Sequence, residues 1–224
     1  MAQGVDEVVG TRVIVRFEGK RCIHSRNCVL GRPDVFVANA HGPWIHPDAA
    51  SAETVAALVQ RCPSGALTYQ RLDGGEAEAA PPVNVVRIHE NGPLAFYAEV
   101  QLEGEAPRFR ATLCRCGASS RKPYCDTAHT KVGFAATGEP ATQDSPPLEQ
   151  RAGPVHITPL PNGHLLVEVN LEVVTGNGRT ILRTRKAAFC RCGASANKPF
   201  CDGSHARVGF RSEPAPVGPV PPAP

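Results

Sequence analysis

The chain has 224 residues, a formal net charge of +3 at pH 7 and only 5% aromatic residues, and it is interrupted by 22 prolines and 21 glycines. So mild a charge, not gathered on one predicted face, argues against a nucleic-acid partner, and no run of about 18 apolar residues offers a membrane span. Small modules of this composition bury limited apolar surface and often need staples.

Nine cysteines supply the material. The number is odd, the first residues (MAQGVDEVVGTRV) lack the apolar core of a signal peptide, and Cys114/Cys116 and Cys190/Cys192 are too close to pair comfortably. In a cytoplasmic protein, the location expected here, such spacing points to metal binding rather than disulfides. The cysteines fall into three groups, Cys22/Cys28/Cys62, Cys114/Cys116/Cys125 and Cys190/Cys192/Cys201, which predicts three sites.

In chain order, TRVIVRF (11–17) reads as a strand. SAETVAALVQRC (51–62) reads as a helix capped by Ser51, with Val55, Leu58, Val59 and Cys62 on one face. ALTYQRL (66–72) reads as a returning strand, and Trp44, Pro43 and Pro47 are expected to pack this first domain. GGEAEAAPP (74–82) and ATQDSPPLEQ (141–150) read as linkers, and PAPVGPVPPAP (214–224) as a disordered or polyproline tail.

Beyond the first linker the chain repeats itself. CRCGASSRKPYCDTAH (114–129) aligns without a gap on CRCGASANKPFCDGSH (190–205). The likeness extends outward, from ENGPLAFYAEVQLE (90–103) to PNGHLLVEVNLE (161–172) and from HTKVGFAATGEP (129–140) to HARVGFRSEP (205–214). Each repeat reads as two or three strands, a ligand loop, a short helical turn and a tail. LLVEVNLEV (165–173) carries the two-residue alternation of a half-buried strand. NG at 91–92 and 162–163, and GNG at 176–178, mark hairpins.

Three thiols and an imidazole in each repeat, Cys114, Cys116, Cys125 and His129, then Cys190, Cys192, Cys201 and His205, suit zinc or an iron–sulfur cluster. Zinc knuckles usually begin C-x2–4-C, whereas both copies here begin C-x-C. Cys and His four apart stand one helical turn from each other and reach a bulkier object. Asp126 and Asp202 are expected as N-caps accepting from the histidine amide. Positions 127 and 203 would then take ordinary helical dihedrals, which Thr127 would tolerate as well as Gly203.

The pattern C-x-C-x2-S-x3-P-x-C-D-G-S-H, carried by Cys190, Cys192, Ser195, Pro199, Cys201, Asp202, Gly203, Ser204 and His205, resembles the CDGSH iron–sulfur domain family. The first copy matches at Cys114, Cys116, Ser119, Pro123, Cys125, Asp126 and His129 and departs at Thr127 and Ala128. The resemblance implies a [2Fe–2S] cluster in each repeat, held by its three cysteines and histidine, and a β-rich single-chain pseudo-dimer. Upstream, RCIHSRNC (21–28) with RCPSGALTY (61–69) resembles a divergent single-cluster ferredoxin-like domain, with Cys22, Cys28 and Cys62 as ligands and Ser25 in the middle position. Three thiolates suffice for [3Fe–4S], which the ligand count favours. A [4Fe–4S] cluster would need a fourth donor from Ser25, His24 or water.

The expected fold is thus α+β. A ferredoxin-like domain over 1–73 precedes CDGSH-type units at 83–140 and 153–213 and the tail at 214–224. His41, His46, His89, His156 and His164 have no cysteine at ligand spacing and are expected as loop or strand residues. Arg115, Arg121, Lys122, Arg191 and Lys198 are expected mainly on the solvated surface.

No nucleophile–base pair, phosphate loop or paired carboxylate stands out, so the expectation is a monomeric non-enzyme. It would work in electron transfer or in cluster storage, transfer or redox sensing, with a redox partner, an enzyme it serves as subunit, or a cluster acceptor. The competing reading is a zinc-stapled interaction module.

Overall fold

The computed structural model describes residues 4–212, so the tail expected over 214–224 and the last residue of the second predicted unit lie outside the described residues. Two compact units divide between Ala79 and Ala80, inside the stretch 74–82. The chain is strand-rich with few, short helices, an α+β composition.

The first unit is built on three antiparallel strands, β1 (Asp6–Val9), β2 (Val13–Phe17) and β3 (Leu67–Arg71), in the order β1-β2-β3. Alternation in β2 and β3 turns Val13, Val15, Leu67 and Tyr69 inward. A short helix, α1 (Asn27–Gly31), precedes the predicted one, α2 (Ala52–Gln60). Ser51 caps α2 as expected, its Oγ accepting from the Thr54 amide at 3.2 Å. Val55, Leu58 and Val59 of α2 share a core with the sheet. Trp44 stands edge-on to Phe17, ring centroids 4.8 Å apart, and tilts against Phe36 at 5.8 Å.

In the second unit each repeat contributes three strands and a one-turn helix: β4 (Val85–Ile88), β5 (Leu94–Leu102), β6 (Arg108–Leu113) and α3 (Ala128–Lys131), then β7 (Pro154–Pro159), β8 (Leu165–Val174), β9 (Thr180–Phe189) and α4 (Ser204–Arg207). Within a repeat all pairings are antiparallel, with hairpin turns at Asn91 and Asn162 in the left-handed region.

Between repeats the strands are exchanged. Residues 94–97 of β5 pair with their own β4, but 99–102 pair in parallel with β7 of the other repeat. Correspondingly, residues 165–168 of β8 pair with β7 and 172–174 with β4. The handover falls at a bulge in each long strand, between Tyr97 and Val100 and between Glu168 and Leu171, where Val169 reaches φ +116°. A bulge bends its strand, so each long strand can serve two short ones. It also interrupts the predicted alternation of β8, whose residues 171–174 are all buried.

The four pairings close a ring, β4–β5–β7–β8–β4, around one core that includes Val86, Phe96, Val155, Val167, Leu171 and Phe189. Phe96 and Phe189, one from each repeat, meet edge to face at 6.1 Å. Asn84 locks the exchange from the first repeat: its buried side chain donates to the carbonyls of Gly153 (2.9 Å) and Asn170 (3.0 Å). The expected inter-repeat linker is instead docked on β9, where the Gln143 amide donates to the Ile181 carbonyl at 2.8 Å and Ser145 Oγ accepts from the Arg183 amide at 3.0 Å.

A polypeptide of residues 80–150 alone would leave β4 and the second half of β5 without their parallel partners. It should self-associate or stay unfolded in size-exclusion chromatography and circular dichroism, because exposed apolar edges seek a partner. A stable folded monomer would contradict the exchange.

Candidate metal centres

In each repeat the edge strand (β6 or β9) runs into a loop that folds back on it. The Cys114 amide donates to the Pro123 carbonyl and the Cys125 amide to that of Thr112, both near 3 Å; Cys190/Pro199 and Cys201/Ala188 repeat the pattern. The motif serine ties the loop internally. Ser119 Oγ donates to the Tyr124 carbonyl at 2.6 Å and Ser195 Oγ to that of Phe200 at 2.7 Å. These bonds bring the first two cysteines alongside the third and carry the histidine in on α3 or α4.

The donors come together in pairs. Cys114 and Cys116 Sγ are 3.7 Å apart, as are Cys190 and Cys192. Cys125 Sγ lies 3.5 Å from His129 Nδ1, and Cys201 Sγ 3.4 Å from His205 Nδ1. Two donors on one tetrahedral ion, at about 2.0–2.3 Å each, stand about 3.5–3.8 Å apart, so each pair is spaced for one metal. The pairs do not merge: among the described residues, no three of Cys114, Cys116, Cys125 and His129 lie within 4.8 Å of one another.

Backbone N–H groups two residues on point at the sulfurs of Cys116, Cys125, Cys192 and Cys201, each at 3.4 Å. Such bonds favour the thiolate that a metal requires. The Cys116 thiol and nearby amides hold the Cys114 thiolate, so that pair gives up its first proton readily. Burial pushes the Cys125 thiol up to about 11, so a metal there must displace a proton.

Asp126 and Asp202 do not cap as expected. Asp126 Oδ1 accepts from the Ala128 amide at 3.1 Å and Asp202 Oδ1 from that of Ser204 at 3.0 Å, while their Oδ2 atoms accept from the amides of Ser120 and Ala196 at 2.8 Å. Each carboxylate therefore staples the turn to the loop rather than to the histidine amide. Burial works against ionisation of Asp126, but these donors outweigh it and hold the carboxyl below its usual range. The residue between is the true N-cap and is left-handed, φ +69° at Thr127 and +84° at Gly203. Glycine takes that conformation freely and a β-branched residue does not, so the two motifs are not equivalent in backbone strain.

Arg115 and Arg191 are a second correction, since each is only 1% exposed rather than on the surface. The Arg115 guanidinium donates to the carbonyls of Gly92, His89, Ala136 and Thr137, and that of Arg191 to Gly163, Leu160 and the Ser212 hydroxyl. Each ties its ligand loop to the hairpin before it and the tail after it. Burial lowers the Arg115 pKa to about 10, partly offset by Glu90 and then by the thiolates of Cys190 and Cys116; Arg191 is lowered likewise and is supported by Cys114. Lys122 and Lys198 donate to the Ser119 and Ser195 carbonyls.

The loops of the two repeats touch. A Cβ added at Gly117 would lie 2.5 Å from the Cys192 carbonyl oxygen, and one at Gly193 2.4 Å from that of Cys116.

His164 is the site residue that linear spacing concealed. It follows the hairpin turn before β8, and its ring centroid stands 5.9 Å from that of His205. The ligand atoms of His164, Cys201 and His205 lie within 4.8 Å of one another. Aligning the two hairpins would have flagged it, since the first repeat has Pro93 at that place.

In the first unit Cys22, Cys28 and Cys62 all line one cavity of about 260 Å³, with Phe17, Trp44 and Leu67 among its apolar walls. That is on the order of twenty times the ~10–15 Å³ a water-sized particle needs. His24 and Ser25 line it too, and the His24 amide donates to Cys22 Sγ at 3.4 Å, the contact seen in both repeats. Burial raises the thiol pKa of Cys22 and of Cys28.

A family model described as "Divergent 4Fe-4S mono-cluster" matches residues 8–72, and one described as "Iron-binding zinc finger CDGSH type" matches 91–130 and 162–206. The chain is also similar to the uncharacterized protein YjdI of Escherichia coli strain K12, 41% identical over 61 residues, 27% of this chain and 79% of that protein. The same protein of Escherichia coli O157:H7 matches to the same extent.

Thr127→Gly should relieve the left-handed strain and stabilise the first site by roughly 1 kcal/mol. Gly203→Thr should weaken the second to a similar degree. Metal retention at each site against denaturant reads both, and equal and unchanged sites would mean that residue 127 is unstrained.

Proposed function

Because the chain belongs to the divergent 4Fe-4S mono-cluster family over residues 8–72 and to the iron-binding CDGSH family over both repeats, we propose that it is a three-centre iron–sulfur protein working in electron transfer and cluster handling. Cys114, Cys116, Cys125 and His129 hold one [2Fe–2S] cluster, and Cys190, Cys192, Cys201 and His205 hold the other. The second unit is a single-chain pseudo-dimer, a reading that the exchanged strands support. In the ferredoxin-like first unit Cys22, Cys28 and Cys62 hold a [3Fe–4S] or [4Fe–4S] cluster. The ligand count fits the former and the family's description the latter, with His24 or Ser25 at hand for the fourth iron.

One observation carries the reading: the four donors of a repeat form two metal-spaced pairs, 3.7 Å and about 3.5 Å apart, that do not converge. One iron per pair suits a binuclear cluster, whereas a single zinc would draw all four donors to within about 3.8 Å of one another. Replacing one thiolate by a neutral imidazole removes about one negative charge from the ligand set and raises the potential. The sulfur-directed N–H bonds act in the same direction. His129 and His205 are partly exposed, which puts the imidazole end of each centre within reach of a partner.

Purified without oxygen, the chain should be red-brown and carry roughly seven or eight irons with matching sulfide. About four irons would mean an empty first unit, and stoichiometric zinc in a colourless protein would overturn the reading. His205→Cys should keep the second repeat's centre, lower its potential and slow its loss at about pH 6, because protons compete with iron for imidazole nitrogen. Unchanged potential and decay would show that His205 is not a ligand.

A further inference from the structure

The second repeat has one donor too many for a [2Fe–2S] centre. His164, Cys201 and His205 place three ligand atoms within 4.8 Å of one another, at most about 1 Å wider than the roughly 3.5–3.8 Å between donors of one tetrahedral ion, a gap that a small side-chain rotation closes. The Cys201–His205 separation of 3.4 Å already matches two corners of such a tetrahedron. All three residues are partly exposed, so an ion has access.

The backbone fixes the third donor. His164 closes the β7–β8 turn, its carbonyl accepting from the Leu160 amide at 3.0 Å, and β8 begins at the next residue. The first repeat has the same turn, with the Pro93 carbonyl accepting from the His89 amide at 3.1 Å. There a proline ring stands where the imidazole would be. Among the described residues no such convergent trio forms around Cys125 and His129.

We propose that the second repeat carries an alternative site for a single divalent cation of the zinc class, held by His164, Cys201 and His205 and mutually exclusive with the cluster. The inference rests on the reading that Cys201 and His205 are cluster ligands. Occupation is a ligand exchange without electron transfer. The thiolate of Cys201 and the imidazole of His205 leave one iron and bind zinc, His164 adds a second imidazole, water completes the tetrahedron, and the released iron takes solvent in their place. The [2Fe–2S] unit is then attached through Cys190 and Cys192 alone, which makes it labile. Zinc thus discriminates between two otherwise similar repeats and unloads the second.

The test uses the full chain with its clusters, incubated without oxygen with zinc sulfate at neutral pH, desalted, and analysed for zinc, iron and visible absorbance. The parent should retain about one zinc and lose about two irons with half of its [2Fe–2S] absorbance. His164→Ala should take up zinc more weakly by well over the roughly tenfold that even a ligand's hydrogen-bond partner is worth, and keep both centres. Pro93→His, which supplies the missing imidazole to the first repeat, should take up a second zinc and lose both. A parent that keeps its irons and binds no zinc would overturn the inference, as would His164→Ala exchanging at the parent's rate. A parent without iron before zinc is added would sink the cluster assignment instead, and its zinc uptake with and without His164 would still decide the site.

Discussion

The parallel pairings of β5 with β7 and of β4 with β8 are what the rest of the second unit depends on. Neither repeat could close a core alone: a short hairpin and one edge strand bury too little, and a two-sided apolar strand needs partners on both edges. Exchanging half of each long strand solves this for both at once. It also brings the two C-x-C loops into contact, so that Gly117 and Gly193 each pack against the other repeat's cysteine backbone. Both have positive φ as well, and no side chain fits there on either ground. The two sites are therefore parts of one body.

The buried guanidiniums extend that coupling to charge. A cation stripped of water is costly unless its donors are satisfied, and the fork of an arginine meets several carbonyls where a lysine would meet one or two. Arg115 and Arg191 sit between the paired cysteines of their own motifs, yet the thiolates that support them include one from across the interface, Cys190 for Arg115 and Cys114 for Arg191. Each repeat thereby lends positive charge to its neighbour's sulfurs. This sets the middle residue of C-x-C beside the facing repeat's sulfurs, in addition to its mechanical role of tying hairpin, loop and tail together.

Much of this was legible in the sequence because it is local. Ser51 at the head of α2, the strands at 13–17 and 67–71 and the Asn-Gly turns all follow from spacing and propensity within a few residues. What was hidden depends on which distant segments meet. Period-2 alternation cannot say which strand lies alongside, so joining of the two repeats in one body was expected only from the family resemblance, and the strand partners and the docking of 141–150 were invisible. Arg115 and Arg191 looked solvated because arginine usually is, and only their carbonyl cages reverse that. His164 has no cysteine near it in the chain, and a turn followed by a strand delivers it to His205. The misreading of Asp126 was different in kind. An Asx turn and an N-cap use the same side chain, and they differ in whether the next residue is left-handed, which Gly203 signalled and Thr127 masked.

The docking of residues 141–150 against β9 has a further consequence. With the β4–β5–β7–β8 ring closed, β6 and β9 are the free margins of the sheet. The ligand loop folds over the end of each, at the Leu113–Tyr124 and Phe189–Phe200 bridges. At Ile181 and Arg183 of β9 the connecting segment occupies hydrogen-bonding positions that a strand from a second molecule would otherwise take, while the half-buried Arg108 adds charge at the start of β6. Chains that expose unpaired margins stack into fibrils or precipitate, and charge or a covering segment is the usual defence. A stretch whose composition reads as a mere spacer thus acts as a guard on the sheet, and its length and its Ser145 are constrained by solubility as much as by the need to join two repeats.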